Sequence, residues 1–222
     1  MCATYDRTVE DPQAVDALRA SPVADRIRSE RLIVVLRRVA PQQRLIELVA
    51  QLVDAGARIF EVTWDAPSAA DDLQALLTEF GDRDIVVGAG TLRSPEAVEA
   101  ARRAGAAFGV APVFDPAVLR TALQLHLPFV PGAYTPTEVD AAWRAGATFV
   151  KLFPGSSLGP HHVRELRGPL PEVETIVTGG VDATSGPAFI AAGAVAVGLG
   201  GAIVSATPEA RRALIASIRQ AR

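Results

Sequence analysis

The tripeptide Ala-Gly-Ala recurs at Ala55-Gly56-Ala57, Ala104-Gly105-Ala106, Ala145-Gly146-Ala147 and Ala192-Gly193-Ala194. Each copy closes a helical stretch and precedes a short apolar run. Glycine there lets a helix end in the left-handed region before the chain turns into a strand. Eight runs carry the strand pattern: Leu32–Leu36, Arg58–Val62, Ile85–Gly88, Phe108–Val110, Phe129–Pro131, Phe149–Leu152, Thr175–Val177 and Val195–Leu199. Between them the spacing is helical, as in Leu45, Leu48, Val49, Leu52 and Val53 on one face. Strand-helix alternation means parallel strands with crossover helices. Eight such units in 222 residues predict an α/β fold of the (β/α)8 TIM-barrel type rather than an open sheet. The repeat precedes strands two, four, six and eight, as expected where alternate strands fill alternate core layers.

Residues 1–30 stand outside this pattern and read as an N-terminal helical extension, with the barrel over 31–222 and a single domain over 1–222. Pro12 to Ser29 reads as one amphipathic helix with Val15, Leu18, Val23 and Ile27 on its apolar side, and Pro22 is a candidate break. Its expected place is the amino-terminal end of the barrel. A net charge of −3 and a pI near 5.7 give no reason to expect nucleic acid or an anionic membrane as partner. No apolar run reaches the ~18 residues of a membrane span. The N-terminus, with Asp6, Arg7, Glu10 and Asp11, lacks the apolar core of a signal peptide. The lone Cys2 excludes an intramolecular disulfide, and a reducing cytoplasm is the expected location.

Of the 22 basic residues, Lys151 is the only lysine. It ends an apolar stretch, Ala147-Thr148-Phe149-Val150-Lys151-Leu152-Phe153-Pro154, where a solvated charge would not be placed. Arginine serves as a generic cation but stays protonated, so it cannot replace an amine as a nucleophile. Lys151 is therefore a candidate covalent catalyst; the plainer alternative is a lysine that snorkels from a strand end.

In a barrel, the carboxyl ends of the strands converge on one mouth, where activity sits. Those ends read Arg37, Glu61-Val62-Thr63, Gly88-Ala89-Gly90-Thr91, Ala111-Pro112, Pro131-Gly132, Lys151-Leu152-Phe153-Pro154, Thr178-Gly179-Gly180 and Gly198-Leu199-Gly200-Gly201. No His/Cys/Asp cluster with ligand spacing occurs among them, so chemistry without metal or cofactor is expected. Burial lowers a lysine pKa, and a neutral amine can form a Schiff base that accepts electrons from a breaking C–C bond. Glu61 suits the accompanying acid/base role; an ion pair with Lys151 or Arg37 is its structural alternative. Gly179-Gly180 and Gly200-Gly201, after strands seven and eight, can offer backbone N–H groups to a phosphate.

Phe149-Val-Lys151-Leu-Phe153-Pro-Gly155 resembles the lysine strand of the KDPG/KHG aldolases, class I aldolases of 2-keto-3-deoxy-6-phosphogluconate and related 2-keto-4-hydroxy acids. Glu61-Val-Thr63 resembles that family's glutamate strand, and Gly88-Ala-Gly-Thr91 its third strand. Pro131-Gly-Ala-Tyr-Thr135-Pro-Thr-Glu138 and Thr178-Gly-Gly-Val181 resemble its fifth- and seventh-strand motifs, so the likeness runs from about Leu32 to Val204. The resemblance implies a Schiff base on Lys151, acid/base work by Glu61, and a pyruvyl pocket lined by Thr91, Pro112, Phe153 and Thr178. It implies phosphate at Gly179, Gly180, Gly200 and Gly201, Arg37 on the substrate's polar end, a keto-acid sugar phosphate as substrate, and a homotrimer. Two departures stand out. Trp64-Asp65-Ala66-Pro67 follows the glutamate strand where several members have arginine, and an acid there is expected to repel an anionic substrate tail. Gly201 stands where the family often has serine.

His161 and His162 read as solvated or capping residues, Trp143 and Tyr134 as packing residues, and Arg102-Arg103 and Arg211-Arg212 as solvated helix faces. A phosphosugar isomerase or decarboxylase, the galactonate epimer or 4-hydroxy-2-oxoglutarate as substrate, and a catalytically silent barrel are the alternatives to a gluconate-specific aldolase.

Overall fold

The computed structural model describes residues 11–222, so Cys2, Asp6, Arg7 and Glu10 lie outside the described residues. The strands are β1 (Leu32–Leu36), β2 (Ile59–Thr63), β3 (Val86–Gly90), β4 (Gly109–Val110), β5 (Phe129–Val130), β6 (Gly132–Ala133), β7 (Val150–Leu152), β8 (Thr175–Thr178) and β9 (Ala196–Leu199). All pair in parallel, in the order β5-β4-β3-β2-β1-β9-β8-β7-β6. The two outermost members, β5 and β6, are halves of one chain run split at Pro131, which has no N–H to give to a ladder. On one side Ala111 N–H donates to the Val130 carbonyl; on the other Lys151 N–H donates to the Pro131 carbonyl, at 3.0 and 2.9 Å. The sheet thus closes into the expected eight-stranded barrel.

The four Ala-Gly-Ala copies behave as read. Gly56, Gly105, Gly146 and Gly193 have φ between 102° and 107°. In each, the glycine N–H and the following alanine N–H donate back to the last helical turn, as in Gly56 to Val53 and Ala57 to Leu52. A fifth turn of this kind ends the helix Pro116–Gln124, with His126 at φ 50° in the glycine position. It escapes a glycine search because the residue type gives no sign of it.

The interior and exterior of the barrel pack separately. Inside lie Ile33, Ile59, Phe108, Val110, Val130, Phe149, Ile176 and Ala196, joined by Ala24 and Ile27 of the N-terminal extension. That extension is two helices, α1 (Pro12–Arg19) and α2 (Pro22–Glu30), because Ser21 caps α2 and Pro22 occupies its first turn. Helix α2 plugs the amino-terminal end of the barrel, as its apolar side anticipates. Helix α1 is tied by Arg19, whose guanidinium stacks 3.6 Å from the Trp143 ring and donates to the Trp143 and Ala147 carbonyls. Among the described residues, no helix is long and apolar enough to cross a membrane.

Arg211 corrects the sequence reading. It is 5% exposed, and its guanidinium donates to the carbonyls of Ile203 and Val204 and to Gln51 Oε1, at 3.1, 2.6 and 2.8 Å. The last carbonyls of the short helix Gly201–Val204 have no full next turn to bond, and Arg211 adds donors to those of Ile203 and Val204. Arg212 alone faces solvent. Arg211→Met removes a buried guanidinium with its three hydrogen bonds and is expected to cost about 2–4 kcal/mol, measured as a lower urea midpoint at unchanged slope.

Candidate active site

Alternation along the strands decides what the mouth contains. Below it, the inward positions are filled by Ile59, Phe108, Phe149 and Ile176. One step toward the carboxyl ends they become Glu61 on β2, Lys151 on β7 and Thr178 on β8, with glycine at several of the rest. The glycines are required by space. A Cβ on Gly90 would fall on the Glu61 carboxylate, one on Gly88 on the Phe108 ring, and one on Gly198 within 2.6 Å of Thr178 Cγ2. This explains why β3 runs on to Gly90, two residues beyond its expected end: Gly88-Ala89-Gly90 is strand that clears room for a neighbour.

With β5 and β6 counted as one strand, β2 and β7 lie half the barrel's circumference apart, so Glu61 and Lys151 face each other across the mouth. Glu61 is 2% and Lys151 7% exposed. Burial pushes the Glu61 carboxyl above the ordinary range, while the charges of Lys151 and Arg37 pull against it. Burial likewise pushes the Lys151 amine below its ordinary value, with Glu61 opposing and Arg37 assisting. Lys151 Nζ sits 4.9 Å from the centre of the Phe153 ring, which stands at the rim. Thr178 is buried, and its hydroxyl oxygen has no partner among the described residues. Buried hydroxyls are ordinarily satisfied, so a group from outside the chain suits this one.

The rim carries the remaining expected residues. Thr91 has φ 61°, a conformation that a β-branched residue rarely adopts, and its hydroxyl accepts from Arg37 Nη2 at 3.4 Å. Gly179 and Gly180 have φ 86° and 72°, and a Cβ on Gly180 would collide with the side chain of Ser156. Gly200 leads into the helix Gly201–Val204, whose start carries Gly201. Among the described residues, the N–H groups of Gly180 and Gly201 have no protein acceptor. A Cβ at Gly201 would meet nothing within 4 Å, so that corner is open.

Pro112, Gly132 and Phe153 of the mouth also border a separate groove of about 1080 Å³, lined by α1 and by the helices Pro116–Gln124 and Pro136–Arg144. Neither Lys151 nor Glu61 lines it. Tyr134, read as a packing residue, is instead 40% exposed in this groove beside Val113 and Phe153. Its position follows from the capping box of Thr135 and Glu138, where the Glu138 carboxylate accepts the Tyr134 and Thr135 N–H groups.

Asp65 is where the structure departs most from the sequence reading. Its Oδ2 accepts from Arg37 Nη1 at 2.9 Å and from Arg38 Nε at 3.1 Å. Burial works against its charge, but hydrogen bonding from Thr63 and the charges of Arg37 and Arg38 hold its carboxyl below the usual range. The acid is thus neutralised within its own cluster, and two guanidiniums against one carboxylate leave the cluster positive. Arg38 was not among the expected site residues; the Arg37-Arg38 doublet at a strand end was its only sequence signal.

A closed barrel with a dry amine opposite a carboxylate at its carboxyl-end mouth belongs to the class of barrel enzymes that work on carbonyl compounds. A family model described as KDPG and KHG aldolase matches residues 23–216. The chain belongs to this family and is a class I aldolase, a lyase. It is 32% identical over 197 residues to the 2-dehydro-3-deoxy-6-phosphogalactonate aldolase of Escherichia coli (strain K12), covering 86% of this chain and 95% of that one. It is 32% identical over 170 residues to the 2-dehydro-3-deoxy-phosphogluconate aldolase of Treponema pallidum (strain Nichols), covering 76% and 74%. Among solved structures, the 4-hydroxy-2-oxoglutarate aldolase/2-deydro-3-deoxyphosphogluconate aldolase from TTHB1 superposes with a TM-score of 0.77 at 33% identity, covering 90% of this chain and 97% of that one.

Gly90→Ala tests the clearance around Glu61. The added methyl displaces the carboxylate, and kcat/KM for aldol cleavage is expected to fall about 100-fold in a protein whose circular dichroism is unchanged. Wild-type turnover in this variant would mean that the carboxylate's position does not matter.

Proposed function

We propose that Lys151 is the Schiff-base residue of an aldolase that cleaves 2-keto-3-deoxy-6-phosphogluconate to pyruvate and glyceraldehyde 3-phosphate. The single observation that carries this reading is the buried Lys151 amine facing the Glu61 carboxylate. The neutral amine adds to the C2 keto carbon, and the protonated Glu61 carboxyl gives its proton to the departing hydroxyl, which leaves as water, so that a protonated imine faces a Glu61 carboxylate. Glu61 takes the proton of the C4 hydroxyl as the C3–C4 bond breaks, the aldehyde departs, and the electron pair moves to the imine nitrogen as an enamine. Glu61 returns its proton to C3, and water then releases pyruvate from the lysine. Pro112, Phe153 and Thr178 line the pyruvyl end, the free Thr178 hydroxyl serving as a polar contact there. Arg37 and Thr91 serve the substrate's anionic end beside Lys151, and Gly179, Gly180, Gly200 and Gly201 serve the distal phosphate. No metal or cofactor enters this sequence of steps.

The galactonate epimer is the second reading. The Escherichia coli relative, matched over 95% of its length, favours it. We further propose a single domain over 1–222, a cytoplasmic location and a homotrimer. The homotrimer is supported by the three exposed large hydrophobics among the described residues, which gather in one groove, and by a structural relative, at 30% identity, built by fusing symmetric oligomeric domains.

Borohydride reduction in the presence of pyruvate is expected to leave a permanent adduct on Lys151, and Lys151→Arg is expected to abolish both adduct and turnover. Because attack needs the neutral amine, a lowered pKa brings that form to lower pH. The trapping rate should therefore rise and level off at lower pH than for an ordinary lysine. A rise only near the ordinary value would overturn the reading of Lys151 as a dry nucleophile. Glu61→Gln is expected to slow cleavage about 100-fold or more. At the phosphate end, Gly201→Ser places a hydroxyl in open space. It should lower KM for a phosphorylated substrate relative to its dephosphorylated counterpart by about three- to tenfold, the worth of one added hydrogen bond. An unchanged ratio would remove the phosphate from that corner.

A further inference from the structure

We propose that Asp65 is a positioning residue: it fixes the Arg37 guanidinium beside Thr91, where the pair holds the carboxylate of the 2-keto acid. The inference rests on the aldolase reading above and names the device that orients its substrate. Asp65 is 20% exposed, whereas Arg37 and Arg38 are 54% and 66% exposed. The acid is therefore the fixed member of the cluster, and the arginines are the members that a ligand can reach. Arg38 braces it from the other side, its Nε on Asp65 Oδ2 at 3.1 Å and its Nη2 on the Asp65 carbonyl at 3.3 Å. The carboxylate is thus held from two sides, by the arginines on Oδ2 and by hydrogen bonding from Thr63 at the end of β2.

Left alone, an exposed arginine samples many rotamers, and holding one costs affinity when a ligand binds. Bonded to Asp65 through Nη1, the guanidinium keeps its remaining donors pointed in a fixed fork suited to a carboxylate. One of them already lies on Thr91, whose strained backbone presents the hydroxyl to it. The charge of Arg37 reaches both Lys151 and Glu61, so the guanidinium stands near the amine that takes the keto carbon. In a 2-keto acid the carboxylate is one bond from that carbon. The opposite view, in which Asp65 repels the anionic substrate, differs in the sign of its consequence.

Borohydride trapping at varied pyruvate concentration measures that sign in the full chain at fixed ionic strength. Asp65→Ala is expected to raise the half-saturating pyruvate concentration about tenfold, with the maximal trapping rate within about threefold of the parent. Arg37→Met should have at least as large an effect, and Asp65→Ala in the Arg37→Met background should add nothing, since the acid acts through the arginine. Asp65→Asn keeps an acceptor oxygen and should fall between parent and Asp65→Ala; it carries the same test if the alanine variant fails to fold. Half-saturation that is unchanged or lower without the acid, or effects that multiply in the double variant, would overturn the proposal. Failure of the aldolase reading itself would look different: the parent chain would take no label at any pyruvate concentration.

Discussion

The mouth of this barrel is organised around the cost of hiding an ammonium. Lys151 leaves water at the end of an apolar strand, and burial there destabilises its charged form more than Glu61 can restore it. The same burial acts on Glu61 in the opposite direction. Each group is thus pushed toward neutrality, the lysine by losing a proton and the glutamate by gaining one. A buried pair of this kind is poor as a stability device. It is well suited to chemistry in which an amine attacks and a carboxyl passes a proton, because neither step then begins from a solvated charge. The remaining interior carries the stability: Phe108, Phe149, Ile59 and Ile176 fill the barrel below, and α2 seals its far end.

One alternation of side chains produces both regions. Inward positions that are large near the amino ends become glycine or polar at several carboxyl ends, and apolar core gives way to a polar mouth within one residue pair. The glycines of β3 and β9 matter for the volume they leave empty, since a methyl on either strand would occupy space taken by Glu61 or Thr178. The turns beyond β8 and β9 use glycine differently, for backbone freedom at Gly179 and Gly180 and for open space at Gly201.

These distinctions mark what could be read from the chain alone. Barrel closure, the helix-ending glycines and the residues facing the mouth were legible because each depends on a local period or a residue type with one physical use. Lys151 stood out because arginine had taken every other basic position. Pairings between distant residues were illegible. Arg211 looked like half of a solvated doublet, yet it turns inward to the carbonyls of Ile203 and Val204 and to Gln51, the last of which only tertiary packing brings near. Asp65 looked like a repulsive charge because its partners, Arg37 and Arg38, lie one strand away. His126 took a glycine's conformation without a glycine's name.

The cationic groups of the mouth also divide their work by chemistry. A guanidinium stays charged throughout the working pH range and cannot compete for a keto carbon. Arg37 can therefore sit close enough for its field to favour the neutral form of Lys151 without becoming a second nucleophile. A lysine in its place would put a second amine near the keto carbon, and that separation would be lost. Tying Arg37 to Asp65 removes its mobility while leaving a net positive charge at the rim. Orientation, attraction of an anion and lowering of the amine pKa then come from one fixed group, and the covalent step is left to Lys151 alone.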